Sequence, residues 1–231
     1  MNGLEERIEY SFRNRRLLET ALTHSSYARE NGKSYEFNNE RLEFIGDAYL
    51  DAVIGQKLFD IMTSCEEGVL SKKRAAVVCE ESLADVARGI SLGSYLYLGK
   101  GEAASNGADK DSILSNALEA VFGAVIIDGG FEEGKRVINR LLGAKVSLAV
   151  QGKLFRDYKS EFQEMFQAIY KSTISLKYAV VAESGPAHNK TFTVEVSAGN
   201  KILGRGSGKS KSKAEQAAAK DAVLKGEISV L

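Results

Sequence analysis

Four carboxylates recur along one short stretch, at Glu40, Glu43, Asp47 and Asp51. Spacings of three and four residues set side chains on one face of an α-helix. Between them stand Leu42, Phe44, Ile45, Ala48, Tyr49 and Leu50, and no proline interrupts the run. Asn38 and Asn39 are candidate caps for a helix reaching to about Met62. That helix is apolar nearly all round except for its acid stripe, so burial is expected. Like charges one turn apart repel by a few tenths of a kcal/mol when exposed, and by far more in a core without a compensating cation. Two readings stand. The stripe is a solvated edge with Arg41 and Lys57 as neighbours, or its hard oxygens hold Mg²⁺ or Mn²⁺.

A second apolar helix, expected over residues 112–128 and ended by Gly129-Gly130, repeats the pattern with Asn116 and Glu119 three apart on one face. Packed together, two such helices could set their polar stripes around one cation. Other candidates carry bland alternatives. His24 follows the apolar stripe Leu17, Leu18, Ala21, Leu22, and reads either as catalytic or as a structural hydrogen bonder. Glu67 precedes Gly68 and is also the acid expected in a helix's first turn. Lys72, Lys73 and Arg74 either reach a phosphate or are solvated.

The elements that must position these residues are helical over the first two thirds. Short helices are expected over 4–21, a polar loop over 29–39, a turn and helix start at 65–71, and amphipathic helix over 75–89. The Gly-, Ala- and Asn-rich stretch 99–111 is expected as a flexible loop. A further helix covers 131–149, and 151–156 is expected as a hinge. The periodicity then changes. A helix over 157–170 precedes strands at 175–183, 191–197 and 202–207, the middle one alternating Phe192, Val194 and Val196 with polar residues. A lysine-headed helix over 209–225 closes an α-β-β-β-α unit.

A chain of 231 residues holds one large or two small domains. The apolar run from Ala117 to Ile127 is broken by Glu119 and is too short to span a membrane. No basic segment followed by an apolar stretch opens the chain, so no signal peptide is expected. Cys65 and Cys79 lack metal-type spacing, and a reduced, cytoplasmic chain is the expectation. The zero net charge hides an asymmetry: residues 1–150 carry 18 Lys+Arg against 23 Asp+Glu, residues 151–231 carry 13 against 8. An acidic half joined to a basic half suits a cation holder joined to a polyanion binder.

Asn39-Glu40-Arg41-Leu42-Glu43-Phe44-Ile45-Gly46-Asp47-Ala48 closely resembles the signature of the ribonuclease III family. Leu22-Thr23-His24-Ser25-Ser26, Glu67-Gly68-Val69-Leu70-Ser71 and Leu118-Glu119-Ala120 resemble further family segments in the same order. Asp157-Tyr158-Lys159, Gln163-Glu164, Gly185-Pro186-Ala187-His188 and Ala214-Glu215-Gln216-Ala217-Ala218 resemble a double-stranded-RNA-binding domain. The resemblance implies an all-α endonuclease domain over 1–150, the hinge over 151–156, and a small α+β RNA-binding domain over 157–226. It implies an Mg²⁺-dependent homodimer, with no small-molecule cofactor and no membrane, that cuts double-stranded RNA. Each subunit would supply one centre in a shared acidic valley, as a two-fold axis requires. The products would carry 5′-phosphates, 3′-hydroxyls and two-nucleotide 3′ overhangs, and ribosomal RNA precursors and messenger RNA would be the substrates.

Position by position, Glu43, Asp47, Asn116 and Glu119 match the family's metal-binding set. Glu40 and Glu67 match further acids of the valley. Phe44 matches a position that inserts into the partner subunit, although a plain core role is also open. Gln163, Glu164, Gln167, His188, Lys209, Lys211 and Lys213 match positions that meet minor grooves and phosphates. Two departures stand out. The family has Asp where this chain has Asn116, which offers a neutral carbonyl oxygen. It also has adjacent lysines where this chain has Lys211-Ser212, and Lys209 or Lys213 is expected to compensate. The first departure keeps one alternative open, an RNA-binding protein that no longer cuts; a metal-dependent hydrolase of small phosphoesters fits the acid stripes but leaves the basic C-terminal part unexplained.

Overall fold

A computed structural model describes residues 2–154, 158–170, 175–185 and 190–226. The chain divides into two compact units, Met1–Phe155 and Arg156–Leu231.

The first unit is helical. Its elements are α1 (Asn2–Ile8), α2 (Arg15–Ala21), α3 (Ser25–Glu30), α4 (Glu40–Ile61), α5 (Glu67–Val78), α6 (Glu80–Gly89), α7 (Lys100–Ala104), α8 (Asp111–Gly129) and α9 (Phe131–Val150). The core gathers around α8, whose Leu114, Ala117, Leu118, Val121, Phe122 and Val125 are all buried. By length and composition α8 could cross a membrane, longer than the broken apolar run suggests, but two thirds of it is buried within this unit.

The longest helix, α4, starts where expected. Its N-cap is Asn39, whose side chain makes no capping bond; the Asn38 side chain, one residue earlier, accepts from the Glu40 N–H at 3.1 Å. The expectation of all-round burial does not hold. Leu42, Gly46, Leu50, Val53, Ile54 and Leu58 face the core, while Phe44 is 78% exposed and Phe59 69%. A single helix has no second neighbour on that side of this unit, so its outer apolar face meets solvent.

Two glycines allow α4 and α8 to cross at backbone contact. A Cβ on Gly46 would lie 1.9 Å from the Glu119 carbonyl oxygen, and one on Gly123 would lie 2.1 Å from that of Leu42. Each glycine opens the notch that the other helix's backbone fills.

The stretch expected as a loose loop at 99–111 is organised. It holds α7 and a 3₁₀ turn at Gly107–Asp109. Lys110 pairs with Glu102 at 2.7 Å, and Arg88 spans Asp109 at 2.7 Å and Asp111 at 2.6 Å. At the other end, α9 closes in a cap over Gly152, which takes φ +70°. The Lys153 N–H returns to the Leu148 carbonyl at 2.8 Å, Lys73 donates to the Ala149 carbonyl at 2.6 Å, and Leu154 packs on the core. The first four residues of the expected hinge therefore belong to the helix end; residues 155 and 156 lie outside the described residues.

The second unit is α10 (Tyr158–Tyr170), β1 (Leu176–Ser184), β2 (Thr191–Ala198), β3 (Lys201–Gly208) and α11 (Lys211–Lys225). The strands form an antiparallel sheet in the order β1-β2-β3. Phe162 and Phe166 of α10 meet Val194, Val196, Leu203 and the alanine side of α11 in one buried cluster. Ser210 caps α11 by accepting from the Lys213 N–H at 3.2 Å. The all-α unit followed by α-β-β-β-α is the fold class the sequence implied.

Candidate active site

The α4–α8 crossing brings the two polar stripes together. Gly46, between Glu43 and Asp47, rests on the backbone of Glu119, so those carboxylates are neighbours by construction. Asn116 lies one turn earlier on α8. It forms a side-chain hydrogen bond with Glu43, and its carbonyl accepts from Ser115 Oγ at 3.3 Å. The bond with Glu43 acts to lower the Glu43 pKa, so the Asn116 amide N–H is the donor and the carboxylate the acceptor.

The charges in this cluster are uncompensated. Burial, reinforced by Asp47, Glu43 and Asp51, pushes the Glu119 carboxyl up to about 8. Burial likewise raises Glu43, with Glu40 and Asp47 adding to it and the Asn116 hydrogen bond partly offsetting. No lysine or arginine pairs with Glu43, Asp47 or Glu119 among the described residues. Among the described residues, Asp51 at the end of the stripe is the one with a cation paired to it, Arg74 at 3.7 Å.

The donor set suits a hard divalent cation: three carboxylates and an amide oxygen, with negative charge to spare. Among the described residues no three His, Cys, Asp or Glu side chains converge closely enough to enclose a metal ion. An open acidic face is the arrangement Mg²⁺ accepts, since it usually takes one or two carboxylates and completes its shell with water and phosphate oxygens.

Glu40 borders the same site. It accepts a hydrogen bond from the exposed Tyr35 hydroxyl and helps to line a cavity of about 130 Å³ with Glu43, Asn116, Asn39 and His24. Glu67 does not join this group within one chain. It stands exposed at the start of α5, where Ser71 Oγ donates to it at 2.7 Å. His24 carries the structural role first offered for it, capping α3, and in addition walls the cavity. Gly123 was the residue sequence reasoning passed over; an isolated glycine inside an apolar helix was the available signal.

Phe44 projects on the solvent side of α4, which overturns the core alternative. Beside it runs a groove of about 740 Å³ walled by Leu17, Tyr35, Leu42, Ile45 and Ile127.

In the second unit Gln163, Glu164 and Gln167 lie on the exposed side of α10, opposite buried Phe162 and Phe166. Lys209 Nζ donates to Thr191 Oγ1 at 3.2 Å, and Lys211 Nζ sits 5.9 Å from the centre of the Phe192 ring. With Lys213 they cluster around the capped start of α11, where lysines and free amides suit phosphates. His188 lies outside the described residues.

Comparison with known proteins matches both units. The family described as Ribonuclease-III-like matches residues 14–145, and the Double-stranded RNA binding motif matches residues 158–225. Ribonuclease 3 of Caldanaerobacter subterraneus subsp. tengcongensis is 49% identical over 222 residues, covering 96% of each chain. Ribonuclease 3 of Streptococcus pneumoniae strain D39 is 43% identical over 223 residues, covering 96% of this chain and 95% of its own. A solved nuclease domain of the Campylobacter jejuni ribonuclease III covers 62% of this chain and 96% of its own, at 43% identity and TM-score 0.58.

Proposed function

From the premise that this chain belongs to the ribonuclease III family and is a double-stranded-RNA endonuclease of that type, we propose an Mg²⁺-dependent homodimer cutting both strands of a duplex. The observation that carries the reading is the α4–α8 crossing, which gathers Glu43, Asp47 and Glu119 into an acidic face without a protein cation. Glu43, Asp47 and Glu119 would hold Mg²⁺, or Mn²⁺ in its place, with Asn116 as a neutral oxygen ligand. The bound ion would acidify the attacking water and neutralise charge on the phosphate. The chain's own residues prepare that chemistry. Burial keeps Glu119 and Glu43 poorly solvated, so a divalent ion is the partner they lack. Asn116 holds Glu43 through its amide. Glu40 extends the acid wall.

Exposed Phe44 and its groove support self-association about a two-fold axis, where one protomer's Phe44 enters the groove of the other. The Campylobacter jejuni structure is described as having a region involved in dimer formation of the nuclease domain. In such a dimer Glu67 would serve the valley shared between subunits. The products would be 5′-phosphate and 3′-hydroxyl ends with two-nucleotide 3′ overhangs, made in the cytoplasm from ribosomal RNA precursors and messenger RNA. The second unit would seat the duplex through Gln163, Glu164, Gln167, His188, Lys209, Lys211 and Lys213.

Asn116 favours a second reading, a duplex-binding protein impaired in cutting. One assay decides. A duplex of about thirty base pairs, near twice the span of one such domain, is incubated with Mg²⁺ and either this chain or Asn116→Asp. Cutting by both makes Asn116 a working ligand. Cutting by the variant alone makes this chain a nuclease held back at one position. Binding by both with cutting by neither overturns the nuclease reading.

A further inference from the structure

His24 sits where two sets of backbone hydrogen bonds meet. Its N–H donates to the Tyr97 carbonyl at 3.0 Å, and the Tyr97 N–H donates to Leu22 at 2.8 Å, forming a parallel bridge between Thr23 and Tyr97. On the other side the Thr23 carbonyl accepts from the Asn39 N–H at 2.9 Å. His24 is thereby mounted against the residue that precedes α4, the helix bearing Glu40 and Glu43. His24 forms part of the wall of the cavity shared with those acids and Asn116.

The hydrogen bonds assign the ring's proton. The Ser26 backbone N–H, which can only donate, reaches Nδ1 at 3.3 Å. Ser26 Oγ lies 2.8 Å from Nδ1 and itself accepts from the Gly99 N–H at 2.9 Å, so its hydrogen is free to go to Nδ1. With Nδ1 an acceptor, the neutral imidazole carries its hydrogen on Nε2. Burial holds the ring below its ordinary pKa against the acids Glu102 and Glu40, with Arg29 and Lys110 acting in the same direction as burial. No described residue bonds to Nε2. A neutral N–H donor on a residue that lines an acid-walled cavity is complementary to an anionic oxygen that arrives with its own cation.

We propose that His24, besides capping α3, contacts substrate: Nε2–H donates to a non-bridging phosphate oxygen of the RNA strand seated over Glu40, Glu43 and Asn116. The proposal rests on the nuclease reading of this site.

Asparagine separates the two roles. It is among the best N-caps, and its Oδ1 falls near the position of Nδ1, but it has nothing in place of Nε2–H. His24→Asn should melt with the parent and cut about tenfold more slowly at saturating duplex, the worth of one hydrogen bond made in the transition state. His24→Ala should cut as slowly and also melt lower. Rates are read in whichever of the parent chain and Asn116→Asp cuts. The second readout is the ¹⁵N resonance of His24 Nε2 in the Glu119→Gln protein, assigned by its loss in His24→Asn and followed as duplex is added; it should move. Full-rate cutting by His24→Asn overturns the proposal and leaves His24 a cap. Should His24→Asn be slow but also melt lower, the resonance decides: movement supports the contact and a fixed resonance overturns it. Should neither the parent nor Asn116→Asp cut, the nuclease reading fails, and the resonance again decides the contact by itself.

Discussion

A carboxyl raised to about 8 in the folded chain makes stability depend on pH in a defined sense. Glu119 is neutral in the folded chain at pH values where the unfolded chain has already released that proton. The folded state therefore binds more protons between the ordinary glutamate range and about 8, and stability falls as pH rises through that window. A cation that binds the ionised form offsets the loss. Excess Mg²⁺ should thus raise the melting temperature more at pH 8 than at pH 6, and Glu119→Gln should flatten both the metal-free pH dependence and the Mg²⁺ effect. Equal Mg²⁺ shifts at both pH values would sink this account. As the proposed metal ligand would contribute several kcal/mol to the transition state, the same substitution should lower cleavage about a thousandfold or more. Asn116 acts in the other direction. Its amide donates to Glu43, so Asn116→Asp replaces a donor with a fourth charge. The variant should melt lower without metal and bind Mg²⁺ more tightly by calorimetric titration. Unchanged affinity would place position 116 outside the metal's reach.

At the scale of elements, the site depends on how closely two helices approach. Gly46 and Gly123 are the reciprocal contacts of α4 and α8. Gly46→Ala puts a methyl group where the Glu119 carbonyl lies, 1.9 Å from the ideal Cβ position. The helices must part or slide, at a stability cost of about 1–3 kcal/mol for overpacking. Activity should fall further than stability, because the displaced atoms belong to Glu119 itself. Denaturant melts and cleavage rates on Gly46→Ala and Gly123→Ala check this, and parental behaviour in both would exclude backbone contact at the crossing. The organisation of 99–111 is a second lesson at this scale. Its composition suited a flexible loop, yet three ion pairs between Arg88, Glu102, Asp109, Lys110 and Asp111 tie it down. Only Arg88 comes from outside the stretch, while Lys110 and Glu102 pair within it, and composition registers neither pairing.

At the scale of the molecule, the exposed apolar face of α4 is the surface through which the proposed dimer would form. Phe44 is 78% exposed, so Phe44→Asp removes little from the fold of one subunit. It should leave the melting curve of the subunit nearly intact while shifting sedimentation from dimer to monomer and abolishing paired cuts on the two strands. A variant that remains dimeric would move the interface elsewhere. Duplex binding by the basic unit should weaken with salt, and Lys211→Ala should reduce the slope of log affinity against log salt by about one. An unchanged slope would show that Lys209 and Lys213 carry the phosphate contacts without it.

Local sequence carries the acid spacing on α4 and α8, the order of elements, and the change from helical to strand periodicity near residue 175. Each of these is a local property, set by side-chain period, caps and turn residues. Asn39 as the N-cap of α4 was one of the two asparagines that residue type offered, for the same reason. Only the tertiary structure decided which face of α4 is buried, because an apolar helix does not state which of its sides has a neighbour. It alone set Glu43 and Asp47 against Glu119, through two glycines more than seventy residues apart in the chain. It alone gave His24 its place beside the acids, because the bridge to Tyr97 and the bond to Asn39 are long-range backbone pairings that leave no mark in side-chain pattern.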